Sequence, residues 1–85
     1  MQTSPQRSWS VRSPADLGRA IAGVRAERKL TQADLAEQTG INRSYIAELE
    51  AGASTLVVER ALRILRRMGA TVTITVPEGG DDAEQ

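Results

Sequence analysis

The amino-acid sequence predicts a small, mainly α-helical domain of about four short helices followed by one C-terminal β-strand. Three observations carry this. Apolar residues recur at helical spacing in four successive segments between residues 13 and 69, each with a capping residue at its start. The period then switches to strict alternation over residues 71–76. At 85 residues, with Trp9 and Tyr45 the only aromatics, the chain has room for one core of Leu, Ile, Val and Ala.

Residues 1–12, MQTSPQRSWSVR, are polar and lack a helical period. They are expected to form a flexible arm, with a short extended piece at residues 9–11. Trp9 in that arm either packs back onto the first helix or meets a partner. Ser13-Pro14 opens the first helix, because Ser caps well and Pro is favoured at the first helical position. Asp16 suits the positive end of the helix dipole. Leu17, Ile21 and Val24 make one apolar stripe. The second helix starts at Thr31-Gln-Ala-Asp34, a capping-box pattern with Asp in the place of Glu or Gln. Leu35 and Ala36 face inward, and Gly40 ends the helix. Asn42 caps a third helix, with Ile46 and Leu49 inward and Gly52 as its stop. Ser54 or Thr55 caps a fourth helix bearing Val58, Leu62, Leu65 and Met68, ended by Gly69. The strand carries Val72, Ile74 and Val76 on one face and Thr71, Thr73 and Thr75 on the other. Pro77 closes it, and residues 78–85 read as an acidic, disordered tail. The expected organisation is arm 1–12, helical domain 13–69, strand 70–77 and tail 78–85.

Composition excludes several kinds of chemistry. Without cysteine or histidine, disulfides, thiolate nucleophiles, imidazole bases and the usual zinc sites are ruled out. No metal, no cofactor and no enzymatic activity is expected, because no converging catalytic set exists. No apolar run approaches the roughly 20 residues of a membrane span, and no signal-peptide core is present, so no membrane partner is expected. Net charge is zero, with 11 basic and 11 acidic residues. Four of those acids, Glu78, Asp81, Asp82 and Glu84, lie in the tail. The remaining seven face all 11 bases, so residues 1–77 carry a net +4. Placement of charge matters more for binding DNA than its total.

Two short helices meeting at Gly40, with only Ile41-Asn42 before the next helix, form the connection a helix-turn-helix requires. On the third helix, Arg43, Ser44, Ala47 and Glu48 are left outward. Arg can take guanine O6 and N7 together, Ser can donate or accept, and Glu can accept from cytosine N4. The same spacing also fits an ordinary helical hairpin with a solvated outer face. Arg60, Arg63, Arg66 and Arg67 on the fourth helix read first as a solvated face, with Glu59 and Arg63 at i, i+4. They could also meet phosphates or an acidic partner.

The segment LTQADLAEQTGINRSYIAELEAG, residues 30–52, resembles the helix-turn-helix core of the Cro/cI and xenobiotic-response-element repressors. With the Ser-Pro-x-x-Leu start at residues 13–17, the following helix and the single strand, residues 13–76 are similar to HipB-type antitoxins. The resemblance implies a lambda-repressor-like fold and a sequence-specific, DNA-binding transcriptional repressor. It implies that Gln32, behind Thr31, contacts a DNA phosphate. Arg43, Ser44 and Glu48 would face base edges, with Asn42 and Tyr45 beside them. Arg25 and Glu50 match a structural ion pair between the first and third helices. A glycine common in the family before Leu-Thr-Gln is Lys29 here. Glu48 is acidic on a face that meets a polyanion, and either selects cytosine or folds back on a nearby base. HipB-type proteins bind HipA-like serine/threonine kinase toxins and autoregulate their operon. A cytoplasmic, bacterial, DNA-associated antitoxin is therefore expected. The alternative is a free-standing phage- or restriction-control-type regulator. A third reading is an interaction module without DNA binding.

A strand without a ladder partner seeks another. The expectation is a homodimer in which Val72, Ile74 and Val76 of two copies pair about a two-fold axis. Its operator would be an inverted repeat in double-stranded DNA. The rival arrangement pairs the strand with residues 8–12 of the same chain.

Overall fold

The computed structural model describes residues 7–53 and 55–77. Expectations that fall on residues 1–6, on Ser54 and on the tail 78–85 lie outside the described residues. The order is β1 (Arg7–Ser10), α1 (Pro14–Glu27), α2 (Gln32–Thr39), α3 (Arg43–Glu50), α4 (Leu56–Arg67) and β2 (Thr73–Val76). The four helices and the C-terminal strand match the expected class; β1 is an addition.

Local chemistry sets the helix ends. Ser13 Oγ accepts from the Asp16 amide at 3.2 Å, and Asp16 Oδ2 accepts from the Arg12 amide at 2.9 Å. The Arg12 bond is the main reason the Asp16 carboxyl is held below its ordinary value, with pairing to Arg19 adding to it. Thr55 caps α4, its Oγ1 accepting from the Val58 amide at 3.3 Å. Three helices end in one device, in which the second residue past the cap bonds back across the last turn. In α3 the Ala53 amide reaches the Glu48 carbonyl, and in α4 the Ala70 amide reaches that of Leu65, both at 2.9 Å. The left-handed residue in those two turns is Gly52 or Gly69. In α1 the Leu30 amide reaches the Arg25 carbonyl at 3.0 Å, and the left-handed residue is Lys29, at φ 59°. The unusual lysine of the sequence thus occupies a backbone position that favours glycine.

The core is small. Val11, Ala20 and Leu62 form its buried centre, with Trp9, Leu17, Val58, Val72 and Ile74 packed around them. Ile46 is buried on the inner face of α3. α1 passes so close to α3 at Gly18 that a Cβ there would overlap the Leu49 carbonyl oxygen. Met68, expected on the inner stripe of α4, is instead 68% exposed. It lies at the helix cap, where the stripe of Val58, Leu62 and Leu65 has already turned away.

Two expectations about the ends of the chain are corrected. Residues 7–10 are a strand rather than part of a flexible arm, and they give β2 a partner within the chain. β1 and β2 are antiparallel, with Arg7 opposite Val76, Trp9 opposite Ile74 and Ser10 opposite Thr73. The Val11 amide extends the pairing to the Val72 carbonyl at 2.8 Å. The physical reason is Trp9. Its ring lies on Gly23 of α1 where a Cβ would overlap it, and the Arg7 guanidinium sits 5.5 Å from the ring centroid. Arg7 also pairs with Glu27 at the end of α1. Trp9 therefore packs back on the first helix, and the rival intrachain pairing is the one found. The premise of a partnerless strand fails. Val72, Ile74 and Val76 are engaged by their own chain, with Val76 buried.

Candidate nucleic-acid interface

The candidate interface is built by α2 and α3 and the turn between them. Thr31 Oγ1 accepts from the Asp34 amide and Asp34 Oδ2 accepts from the Thr31 amide, both at 2.9 Å. This reciprocal box forms as the Thr-Gln-Ala-Asp pattern requires. It lowers the Asp34 pKa, chiefly through the bond from the Thr31 amide. At the other end of α2, Thr39 Oγ1 donates to the Leu35 carbonyl at 2.8 Å and accepts from the Ile41 amide at 3.1 Å. Gly40 adopts φ 75°, and its amide bonds to the Ala36 carbonyl at 2.9 Å. Asn42 then starts α3, its Oδ1 accepting from the Ser44 amide at 2.7 Å. The turn is thus fixed by two polar side chains, Thr39 and Asn42, and one left-handed glycine.

α3 has two faces. Ile46 is buried, and Leu49 and Glu50 are partly covered on the same side. Arg43 and Ser44 at its N-terminal end, and Tyr45 and Glu48 beyond them, are exposed, with Ala47 half-buried. Among the described residues neither Arg43 nor Glu48 makes an ion pair, so Glu48 does not fold back on a base. A row of free hydrogen-bonding groups on a helix face of this kind can meet base edges in a major groove.

The face is held by one polar knot behind it. Arg25 of α1 forks onto Glu50 of α3, Nε to Oε2 at 2.7 Å and Nη2 to Oε1 at 2.9 Å. Its third nitrogen, Nη1, donates to the Leu30 carbonyl at 2.9 Å, which ties in the turn before α2. Gln32, the first residue of α2, donates from Nε2 to Glu50 Oε1 at 2.9 Å. The Glu50 carboxylate is 8% exposed. The Arg25 bonds are the main cause that lowers its pKa, and Gln32 adds to it; burial acts the other way. The same pairing raises the pKa of Arg25. The Arg25–Glu50 pair stands where the resemblance put it. The tie to Gln32 was not legible, because nothing in the spacing of residues 25, 32 and 50 shows that three helices converge there. The residues expected at a dimer seam lie apart from this face, Ile74 and Val76 on β2 and Val72 just before it.

The comparisons with known proteins agree with this geometry. A family model described as a helix-turn-helix domain matches residues 3–77. The chain is 34% identical over 67 residues to an uncharacterized HTH-type transcriptional regulator, y4mF, of Sinorhizobium fredii. That match covers 79% of this chain and 88% of the relative. It is also 50% identical over 34 residues to the immunity repressor protein of Bacillus phage phi105, covering 40% of this chain and 24% of that protein. No solved structure matches the chain significantly.

Proposed function

The chain belongs to the helix-turn-helix domain family, and from that premise we propose that it is a transcriptional repressor that reads operator DNA with α3. The observation that carries this reading is the outer face of α3. Arg43, Ser44 and Glu48 stand exposed there, with neither Arg43 nor Glu48 in an ion pair among the described residues, on a helix locked from behind by Arg25 and Glu50. Arg43 reads a guanine, Ser44 an adjacent edge and Glu48 a cytosine amino group. Asn42 and Tyr45 flank them. Thr31 and Gln32 present the start of α2 to a phosphate, and Gln32 is held in place for that by Glu50. In this reading two copies bind an inverted repeat.

The test is titration on operator and scrambled duplexes at fixed salt. Arg43→Ala keeps the fold and costs about 1–3 kcal/mol of specific binding, with relaxed preference at one base pair. Gln32→Ala weakens binding to both duplexes more evenly. An Arg43→Ala variant that loses nothing on the operator contradicts the assignment.

The finer role is the antitoxin of a type II toxin–antitoxin pair, supported by the likeness of residues 13–76 to HipB-type proteins. Its partner would be a HipA-like serine/threonine kinase, and the pair would repress its own operon. The second reading, a free-standing regulator, is supported by the match to a phage immunity repressor. A kinase-like reading frame beside the gene, whose purified product binds this chain, supports the first. Absence of binding supports the second.

A further inference from the structure

The acidic end of the sequence leaves the fold at a basic corner. Val76 of β2 lies opposite Arg7 of β1, and Arg7 pairs with Glu27, the last residue of α1. Pro77 therefore follows the strand out beside the end of α1, where Arg28 and Lys29 come next in the chain. Arg28 also lines one surface depression together with Ile74, so it stands beside β2. Arg28 is half-buried and Lys29 exposed, and among the described residues neither makes an ion pair. Residues 78–85, EGGDDAEQ, hold four acids and no base. We propose that this acidic segment docks on Arg28 and Lys29 and, resting there, screens the start of α2 from DNA phosphates. The proposal rests on the DNA-reading role given to α2 and α3, and adds to it a regulator carried by the same chain.

Reach and charge single out this occupant and this corner. An extended residue spans about 3.3–3.6 Å, so Asp81 and Asp82 lie within about 18 Å of Pro77. Paired strands are about 5 Å apart, which sets Val76 close to Arg7 and so to the end of α1. Gly79-Gly80 lets the chain turn back at little steric cost. The other cationic patch, Arg63, Arg66 and Arg67 on α4, stands at the opposite end of β2. There Val72 shares a depression with Leu65 and Arg66, and the strand adds about 13 Å to the path from Pro77. Lys29 sits at φ 59°, where glycine would serve the turn better, which leaves its charge as its contribution. It precedes Thr31 by two residues, at most about 7 Å along the chain. A carboxylate on Lys29 thus lies within a Debye length, about 10 Å at 0.1 M salt, of the phosphate that Thr31 and Gln32 would meet, and repels it. Tethering gives the segment an effective concentration near millimolar, while each exposed ion pair is weak. The docked segment is therefore populated at low salt and yields to DNA.

The chain has no cysteine of its own, so a nitroxide attached through Ala83→Cys reports on the segment within the full chain. Without DNA, at about 50 mM salt, the amide resonances of residues 28–32 are expected to broaden and those of residues 60–67 are not. Near 0.5 M salt, where the Debye length is about 4 Å, the broadening should be lost. It should also be lost when Glu78→Gln, Asp81→Asn, Asp82→Asn and Glu84→Gln are combined. Absence of broadening at residues 28–32 overturns the proposal. So does broadening centred on α4, or broadening that neither salt nor neutralisation changes. Titration of a scrambled duplex reads the consequence. The neutralised segment is expected to tighten binding about 3–10-fold at about 50 mM salt, the worth of two exposed ion pairs. In a chain that also carries Arg28→Gln and Lys29→Gln, that gain should fall below about twofold, because both sets of changes act on one contact. A full gain in that background contradicts the docking. The label measurement contains no DNA, so a chain that bound no duplex would contradict the DNA reading while the label still decides the docking.

Discussion

At the scale of single residues, Lys29 shows how a departure from a family pattern becomes a physical statement. Its φ of 59° places a side-chain-bearing residue where the turn after α1 calls for glycine. Lys29→Gly is therefore expected to raise stability by about 1 kcal/mol, read as a higher urea midpoint at unchanged slope. Glu50 makes the opposite kind of contribution. Its carboxyl is lowered in the folded chain, first by the Arg25 bonds and then by that from Gln32. A lowered carboxylate contributes stability that is complete above its ordinary unfolded value and is lost as pH falls through the folded one. Urea midpoints across a pH series should fall on the acid side. Glu50→Gln should flatten that fall and cost about 2–3 kcal/mol near neutrality, because it leaves Arg25 half-buried without its partner. A variant with the same acid limb would show that other carboxylates set it. The ion pair was legible from the resemblance and the capping box from its four residues. The Gln32 bond was not, since it exists only once three helices have met.

At the scale of elements, all four helices were legible because each carries its own start, stripe and stop within the sequence. β1 was not. Arg-Ser-Trp-Ser has no alternating apolar run, and its strand conformation is imposed by Trp9 docking on Gly23 and by β2 alongside. β2 was read correctly as a strand and wrongly as one lacking a partner, for the same reason. Met68 was misplaced because a stripe drawn at steps of three and four drifts around the helix by its last turn. If Trp9 holds β1 down, Trp9→Ala should cost about 3 kcal/mol of stability, as large aromatic truncations do. The same variant should leave DNA affinity of the folded fraction unchanged, because neither strand forms the α3 face. Chemical denaturation followed by circular dichroism measures the first, and a duplex titration below the melting range the second. Loss of DNA affinity without loss of stability would mean that β1 belongs to the interface.

At the scale of the whole molecule, a neutral total charge conceals a division between a mildly basic body and an acidic end. No helix among the described residues is long and apolar enough to cross a membrane. The fold class followed from periodicity, while the pairing of β2 within the chain could not, because strand pairing is decided by packing across the entire chain. The central claim is that α3 reads sequence. It is tested most directly by selecting bound duplexes from a random-sequence pool, with the wild-type chain and with Arg43→Ala in parallel. The expected result is an enriched site of two inverted half-sites for the wild type. For Arg43→Ala the same site should emerge with its preference relaxed at one base pair in each half. Recovery of no enriched sequence by the wild type, or of an identical site by both chains, would contradict it.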